Sequence, residues 1–120
     1  MKRWLQGTLS LELTEAPEAL RLTWAGRSTA REPARFLMPL LAESFASART
    51  AGLPLVLDFT GLDYMNSSTL TSVIRALDES RRLSVPVVLE YSLARRWQEL
   101  SFSAFRTFET LDGRIKVTDK

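Results

Sequence analysis

The chain contains neither cysteine nor histidine. Without cysteine there is no disulfide framework, thiolate metal site, thiol nucleophile or redox couple. Without histidine it lacks the side chain most used as a general base, the commonest metal ligand and the usual switch near neutral pH. Catalysis would have to run on carboxylates, hydroxyls and the lysines Lys2, Lys116 and Lys120, so no enzyme is expected. Long apolar runs are missing too, none approaching the roughly 20 residues of a membrane-spanning helix. The opening Met1-Lys2-Arg3-Trp4-Leu5-Gln6-Gly7 has no signal-peptide core, and a cytoplasmic protein without membrane insertion is expected. Charge of one sign is scarce: 16 basic against 14 acidic side chains leave +2, too little to imply nucleic acid. The pairs Arg81-Arg82 and Arg95-Arg96 fall in helical stretches or at their edges, where cations near a C-terminus offset the macrodipole. Neither Gly-x-Gly-x-x-Gly nor Gly-x-x-x-x-Gly-Lys occurs, so no nucleotide cofactor is expected. Nor is a metal, since only scattered carboxylates such as Asp58 and Asp63 could hold one; Asp58 reads as a cap or pair at a strand end.

What is present is the balance of one globular domain, residues 1–120, at 45% hydrophobic and 25% charged. Leu9, Leu11 and Leu13 alternate with polar residues, and so do Leu20, Leu22 and Trp24 after a turn around Glu15 to Glu18, which predicts two half-buried strands in a hairpin. Gly26, Ser28 and Thr29 break that pattern. From Ala34 to Arg49, Leu37, Leu40, Leu41, Phe45 and Ala48 recur at helical spacing. Pro39 either kinks this helix or marks where its regular part begins. Leu53 to Thr60 is nearly continuous in apolar residues, as in strands covered on both faces. A connection from Gly61 to Met65 leads to a helix from Asn66 to Arg82, and Val85 to Tyr91 gives the next strand, parallel to the first through a right-handed crossover. Ala94 to Phe108 reads as helical at least to Phe102, and Ile115 with Val117 as a short last strand or a tail contact.

The informative segment is Asn66-Ser67-Ser68-Thr69, where the central strand hands over to a helix. Asn is among the best N-caps. One cap suffices, however, and acidic residues would serve the first turn better than three hydroxyls. A hydroxyl there is also a good place for a phosphate, because free amides and the positive dipole end receive its charge while the fold stays intact. Capping alone and a modification site both account for the run.

The stretch Leu55-Val56-Leu57-Asp58-Phe59, then Leu62, Tyr64-Met65-Asn66-Ser67-Ser68-Thr69-Leu70 and Val73-Ile74, resembles the STAS domains of anti-sigma-factor antagonists. In those a buried strand runs into Asp-Ser-Ser/Thr-Gly-Leu at a helix start, and the serine after the Asp is phosphorylated. Asn66 in place of the acidic residue and Thr69 in place of the glycine are closer to the SiaC-type STAS-like regulators. Gly26 with Ser28, Leu53-Pro54-Leu55, Asp58 and Val85-Pro86-Val87 are similar to that branch as well. The resemblance spans roughly Leu20 to Phe102, and only the segment around Asn66 is specific.

The resemblance implies an α/β, STAS-like single domain with a mixed sheet of four to five strands and three to four helices. It implies phosphorylation at Ser67, with Ser68 and Thr69 as next candidates. Asn66 would support the site, its amide bonding the hydroxyl or phosphate of Ser67. A partner-binding surface would include Tyr64, Met65, Ser68, Thr69, Thr71 and Arg75. The implied partners are a GHKL-type serine kinase, a PPM-type phosphatase, and a diguanylate cyclase or a sigma-factor system. A constitutive STAS-like adaptor in a transporter or signalling assembly, never phosphorylated, is the competing reading. Ser67 as an enzymatic nucleophile finds no histidine and no Gly-x-Ser-x-Gly elbow in the sequence.

Overall fold

The alternating leucines pair as expected. In the computed structural model, which describes residues 2–120, strand β2 (Leu9–Glu15) runs antiparallel to β3 (Leu20–Ser28), with Leu11 opposite Trp24 and Leu13 opposite Leu22. Helix α1 (Ala34–Ala51) then crosses to β4 (Leu55–Met65), and α2 (Ser67–Leu83) crosses to β5 (Val87–Tyr91). Helix α3 (Arg96–Phe105) and a short 3-10 turn at Arg106–Phe108 lead to β6 (Ile115–Asp119). Both β3–β4 and β4–β5 are parallel, as is β5–β6.

The sheet has six strands in chain order, not four to five. The strand missing from the sequence reading is β1 (Lys2–Gln6), antiparallel to β2 with Trp4 across from Leu11. Its two leading charges hide any alternation, yet charge is what an edge strand tolerates and uses against unwanted pairing. Three α-helices fall within the expected number.

Two further boundaries differ. Gly26 does not end β3. The strand passes through it with φ +86°, and a Cβ there would lie 1.9 Å from the Thr8 carbonyl oxygen, so only glycine fits. Irregularities at Thr23/Ala25 and Gly26/Arg27 let β3 stay paired with β4 as far as Ser28 opposite Met65. Likewise β4 does not stop at Thr60 but continues through Gly61 to Met65. Helix α1 begins at Ala34 and runs on through Pro39, whose missing N–H leaves the Arg35 carbonyl without its usual intrahelical donor.

The core lies on one face of the sheet. Leu20, Leu22 and Trp24, Leu55, Leu57 and Phe59, and Val87, Leu89 and Tyr91 meet Leu37 and Phe45 of α1, Val73 and Leu77 of α2, and Phe102 of α3. Aromatic rings chain across it: Trp24 to Phe59 at 4.7 Å, Phe59 to Phe102 at 4.9 Å and Phe102 to Tyr91 at 5.5 Å between centroids. The other face carries no helix, so β4 is not covered on both sides as its apolar run suggested. Val56 is shielded there by its strand neighbours Arg21 and Val88. On that open face Arg21 bridges Asp58 at 2.9 Å and Glu90 at 2.5 Å, and Lys120 reaches Glu90 at 3.3 Å. The bond to Glu90 is the main reason the Arg21 guanidinium is held still more firmly charged than usual.

Candidate functional site

The start of α2 is positioned from three sides. The first is β4, whose last residues outrun β5: the two pair only from Leu55 to Asp58. Beyond that point backbone carbonyls of β4 need other donors. Gln98 of α3, fully buried, donates from Nε2 to the carbonyls of Phe59 (2.6 Å) and Leu62 (2.9 Å), while its Oε1 accepts from the Ser92 amide at 2.8 Å. Arg95 donates from Nε to the Thr60 carbonyl at 2.9 Å and pairs with Asp63 at 2.6 Å.

The second side is the cap. Asn66 has extended backbone, and its Oδ1 accepts from the Thr69 amide (2.9 Å) and the Thr69 hydroxyl (2.8 Å). The third is the connection from β3 to α1. The Asn66 amide donates to the Ser28 carbonyl at 3.1 Å, its Nδ2 donates to the Ala30 carbonyl at 2.8 Å, and the Ser28 and Thr69 hydroxyls lie 2.6 Å apart. With the Thr69 proton given to Asn66, the Ser28 hydroxyl is the donor to Thr69. Ser28, Asn66 and Thr69 thus form one closed chain tying the β3–α1 connection to the first turn of α2.

This chain explains both departures from the anti-sigma-factor antagonist pattern. An Asp at 66 would keep the cap but set a second acceptor oxygen against the Ala30 carbonyl, where an amide donates. A glycine at 69 would remove the hydroxyl that satisfies buried Ser28. Asn66 therefore supports the site differently from the expectation, because both ends of its side chain are already engaged and neither reaches the Ser67 hydroxyl.

The expected surface residues separate into two groups. Ser67, Ser68, Thr71 and Arg75 are exposed, and Tyr64 is 40% exposed with the Arg27 guanidinium 4.8 Å from its ring centre. Thr69 and Met65 are not surface residues. Thr69 is fully buried with its hydroxyl in two hydrogen bonds, so it is withdrawn as an acceptor of phosphate or a partner contact. Met65 is 7% exposed, within the core, because its place at the end of β4 opposite Ser28 turns it inward. The Thr71 hydroxyl donates back to the Ser67 carbonyl at 3.1 Å. Among the described residues the Ser67 hydroxyl makes no hydrogen bond, and the amides of Ser67 and Ser68 donate to no protein acceptor. No group of three or more Asp or Glu that could hold a metal ion occurs among the described residues.

Gln98 was absent from the sequence reading, and Arg95, expected to offset a helix C-terminus, instead stands at the N-cap of α3 and serves β4. A signal for Gln98 existed: it sits four residues before Phe102, a polar side chain on the stripe that faces the core. Nothing local in the sequence reveals that β4 outruns β5 and needs those donors.

The fold has solved counterparts. Apo-SiaC from Pseudomonas aeruginosa superposes with a TM-score of 0.63 at 19% identity, covering 100% of this chain and 99% of that one. The fold is the STAS-like fold of SiaC. A chain in the crystal structure of the diguanylate cyclase SiaD in complex with its activator SiaC, from the same organism, gives 0.63 at 20% identity, over 98% of this chain and 96% of that one. A protein of the DUF3478 family with a SpoIIAA-like fold from Shewanella loihica PV-4 gives 0.54 at 19% identity, over 98% of this chain and 89% of that one. No family model and no curated protein sequence matches the chain. At such identities the STAS-like likeness to SiaC is one of fold. No helix among the described residues is long and apolar enough to cross a membrane.

Proposed function

We propose that this chain is a non-enzymatic partner-switching regulator in the cytoplasm, which binds a protein partner through the start of α2 and is released when Ser67 is phosphorylated. The observation that carries the reading is the contrast within Ser67-Ser68-Thr69. Thr69 is consumed by the internal bond chain, while Ser67 is exposed with an unengaged hydroxyl beside two unpaired amides at a helix N-terminus. A phosphate added there carries about −1.5 to −2 charges and meets those amides and the positive end of the dipole. The cap, made by Asn66 and Thr69, stays closed, so the fold survives the modification while the exposed surface gains negative charge.

SiaC, which shares the fold, is the activator of a diguanylate cyclase, and a cyclase is the first partner to test for this chain; a sigma-factor system is the second. A GHKL-type serine kinase would write the mark and a PPM-type phosphatase would erase it. The reading is of a non-enzymatic protein, supported by the lack of histidine in the chain and of any hydrogen-bonded base at the Ser67 hydroxyl among the described residues.

Incubation with ATP and a GHKL-type kinase encoded beside the gene should add one phosphate to the intact mass, and Ser67→Ala should abolish the gain. A gain that persists in Ser67→Ala moves the site to Ser68. No gain with the wild-type chain, together with undiminished partner binding, would leave the constitutive adaptor as the function.

A further inference from the structure

Beside the start of α2 lies a groove of about 340 Å³ between the β3–α1 connection and the outer face of α2. Three arginines line it, Arg31, Arg35 and Arg75, against a single carboxylate, Glu32. Ser68 and Thr71 form its floor on the α2 side, whereas Ser67 does not line it. Arg35 is drawn to Glu32 at 3.4 Å. Arg31 and Arg75, like Arg3, Arg27, Arg49, Arg81, Arg96 and Arg114, have no carboxylate within ion-pair distance among the described residues; what sets them apart is that they line one groove together. The formal charge of the chain is only +2, so this groove concentrates positive potential that the rest of the surface largely cancels.

The walls are also fixed relative to each other. Asn66 holds the Ala30 carbonyl, one residue before Arg31, and Ser28 is bonded to Thr69, about one turn before Ser72 and two before Arg75. A guanidinium pair on a preorganised frame recognises carboxylates with little ordering cost.

We propose that this groove is the docking slot for an acidic segment of the protein partner, with Arg31 and Arg75 as the specificity-determining contacts. The occupant follows from what the lining holds and omits. No aromatic side chain lines the groove to stack a base, which disfavours a nucleic acid. The large exposed apolar residues Leu5, Tyr64, Leu93, Leu100 and Leu111 all lie outside it, so it offers nothing to enter a lipid surface. Isolated carboxylates on a protein segment suit two unpaired guanidiniums flanked by the Ser68 and Thr71 hydroxyls. The inference rests on reading the start of α2 as the partner surface. It adds that a negative charge at the start of α2 weakens the groove's positive potential as well as repelling the partner.

The test uses the whole chain and two fluorescein-labelled peptides, one of alternating Glu and Ala and one with Gln in place of Glu, read by anisotropy at low salt. The Glu peptide should bind about tenfold or more tighter than the Gln peptide. Arg31→Gln/Arg75→Gln should erase that preference at an unchanged melting temperature, because neither arginine makes an ion pair. Arg31→Glu/Arg75→Glu should bind a Lys-Ala peptide in place of the Glu peptide. Arg3→Gln/Arg114→Gln, remote from the groove, should bind as the wild type does. Equal binding of the two peptides, or an undiminished preference in Arg31→Gln/Arg75→Gln, overturns the proposal. An oligothymidine that outcompetes the Glu peptide overturns its assignment to a protein partner. No kinase enters the assay, so a chain that passes it yet never accepts phosphate would refute the switch and leave the groove standing.

Discussion

Strand β4 has two halves held by different means. From Leu55 to Asp58 it lies between β3 and β5 in continuous register, with Leu55 and Leu57 packed into the core. From Phe59 to Met65 it has β3 on one side only, and its free carbonyls are met by Gln98 and Arg95 across from α3. The first half is a stability element whose replacement costs are those of any core. The second half is a positioning element: its geometry delivers Asn66 and the first turn of α2, and it rests on a few side-chain hydrogen bonds rather than on a ladder. A functional edge built this way can be adjusted without disturbing the sheet behind it.

The largest expected effect lies in the first half. Leu57→Ala should cost about 4 kcal/mol in denaturant unfolding, through lost burial plus a cavity, while leaving partner affinity of the folded fraction unchanged. Gln98→Leu should cost about 2 to 3 kcal/mol, since it strands two buried carbonyls and the Ser92 amide. Hydrogen exchange should then quicken in residues 62–68 and stay slow in residues 55–58. Equal quickening of both halves would erase the distinction. Asn66→Asp, nearly isosteric, should cost about 1 to 2 kcal/mol by turning a donated bond to Ala30 into an acceptor pair; a neutral result in thermal unfolding would show that the bond chain is dispensable. Arg95→Ala should be smallest, about 1 kcal/mol or less, because its partner Asp63 is largely exposed.

The same division governs what could be read from the residues alone. Period-two leucines located β2 and β3, and the apolar runs at Leu55 and Val87 located the parallel pair, because those segments are shaped by burial, which leaves a pattern in the sequence. Asn66 stood out because four short polar residues exceed what a cap requires. The continuation of β4 past Gly61 was hidden, since Asp63 and Tyr64 project outward from a strand paired on one side and leave no alternation. The burial of Thr69 was hidden as well. Its sequence neighbours Ser67 and Ser68 are chemically alike, and only the helical turn separates the inward hydroxyl from the outward ones. The arginine groove joins residues about 40 positions apart, a distance that local pattern cannot bridge. Edge strand β1 carries charge where a strand pattern would be sought, and so went unread.

The central claim is that a charge on Ser67 alters the surface and spares the fold. Its most direct measurement is calorimetric titration of the partner, a diguanylate cyclase or an anti-sigma kinase from the same genome, with the chain carrying phosphoserine at 67 and with the unmodified chain. Thermal unfolding of both forms is recorded alongside. The account predicts that affinity falls by about tenfold or more, equivalent to about 1.4 kcal/mol, while the two unfolding midpoints stay together. Undiminished binding by the phosphorylated chain, or a phosphate that unfolds it, would contradict the account.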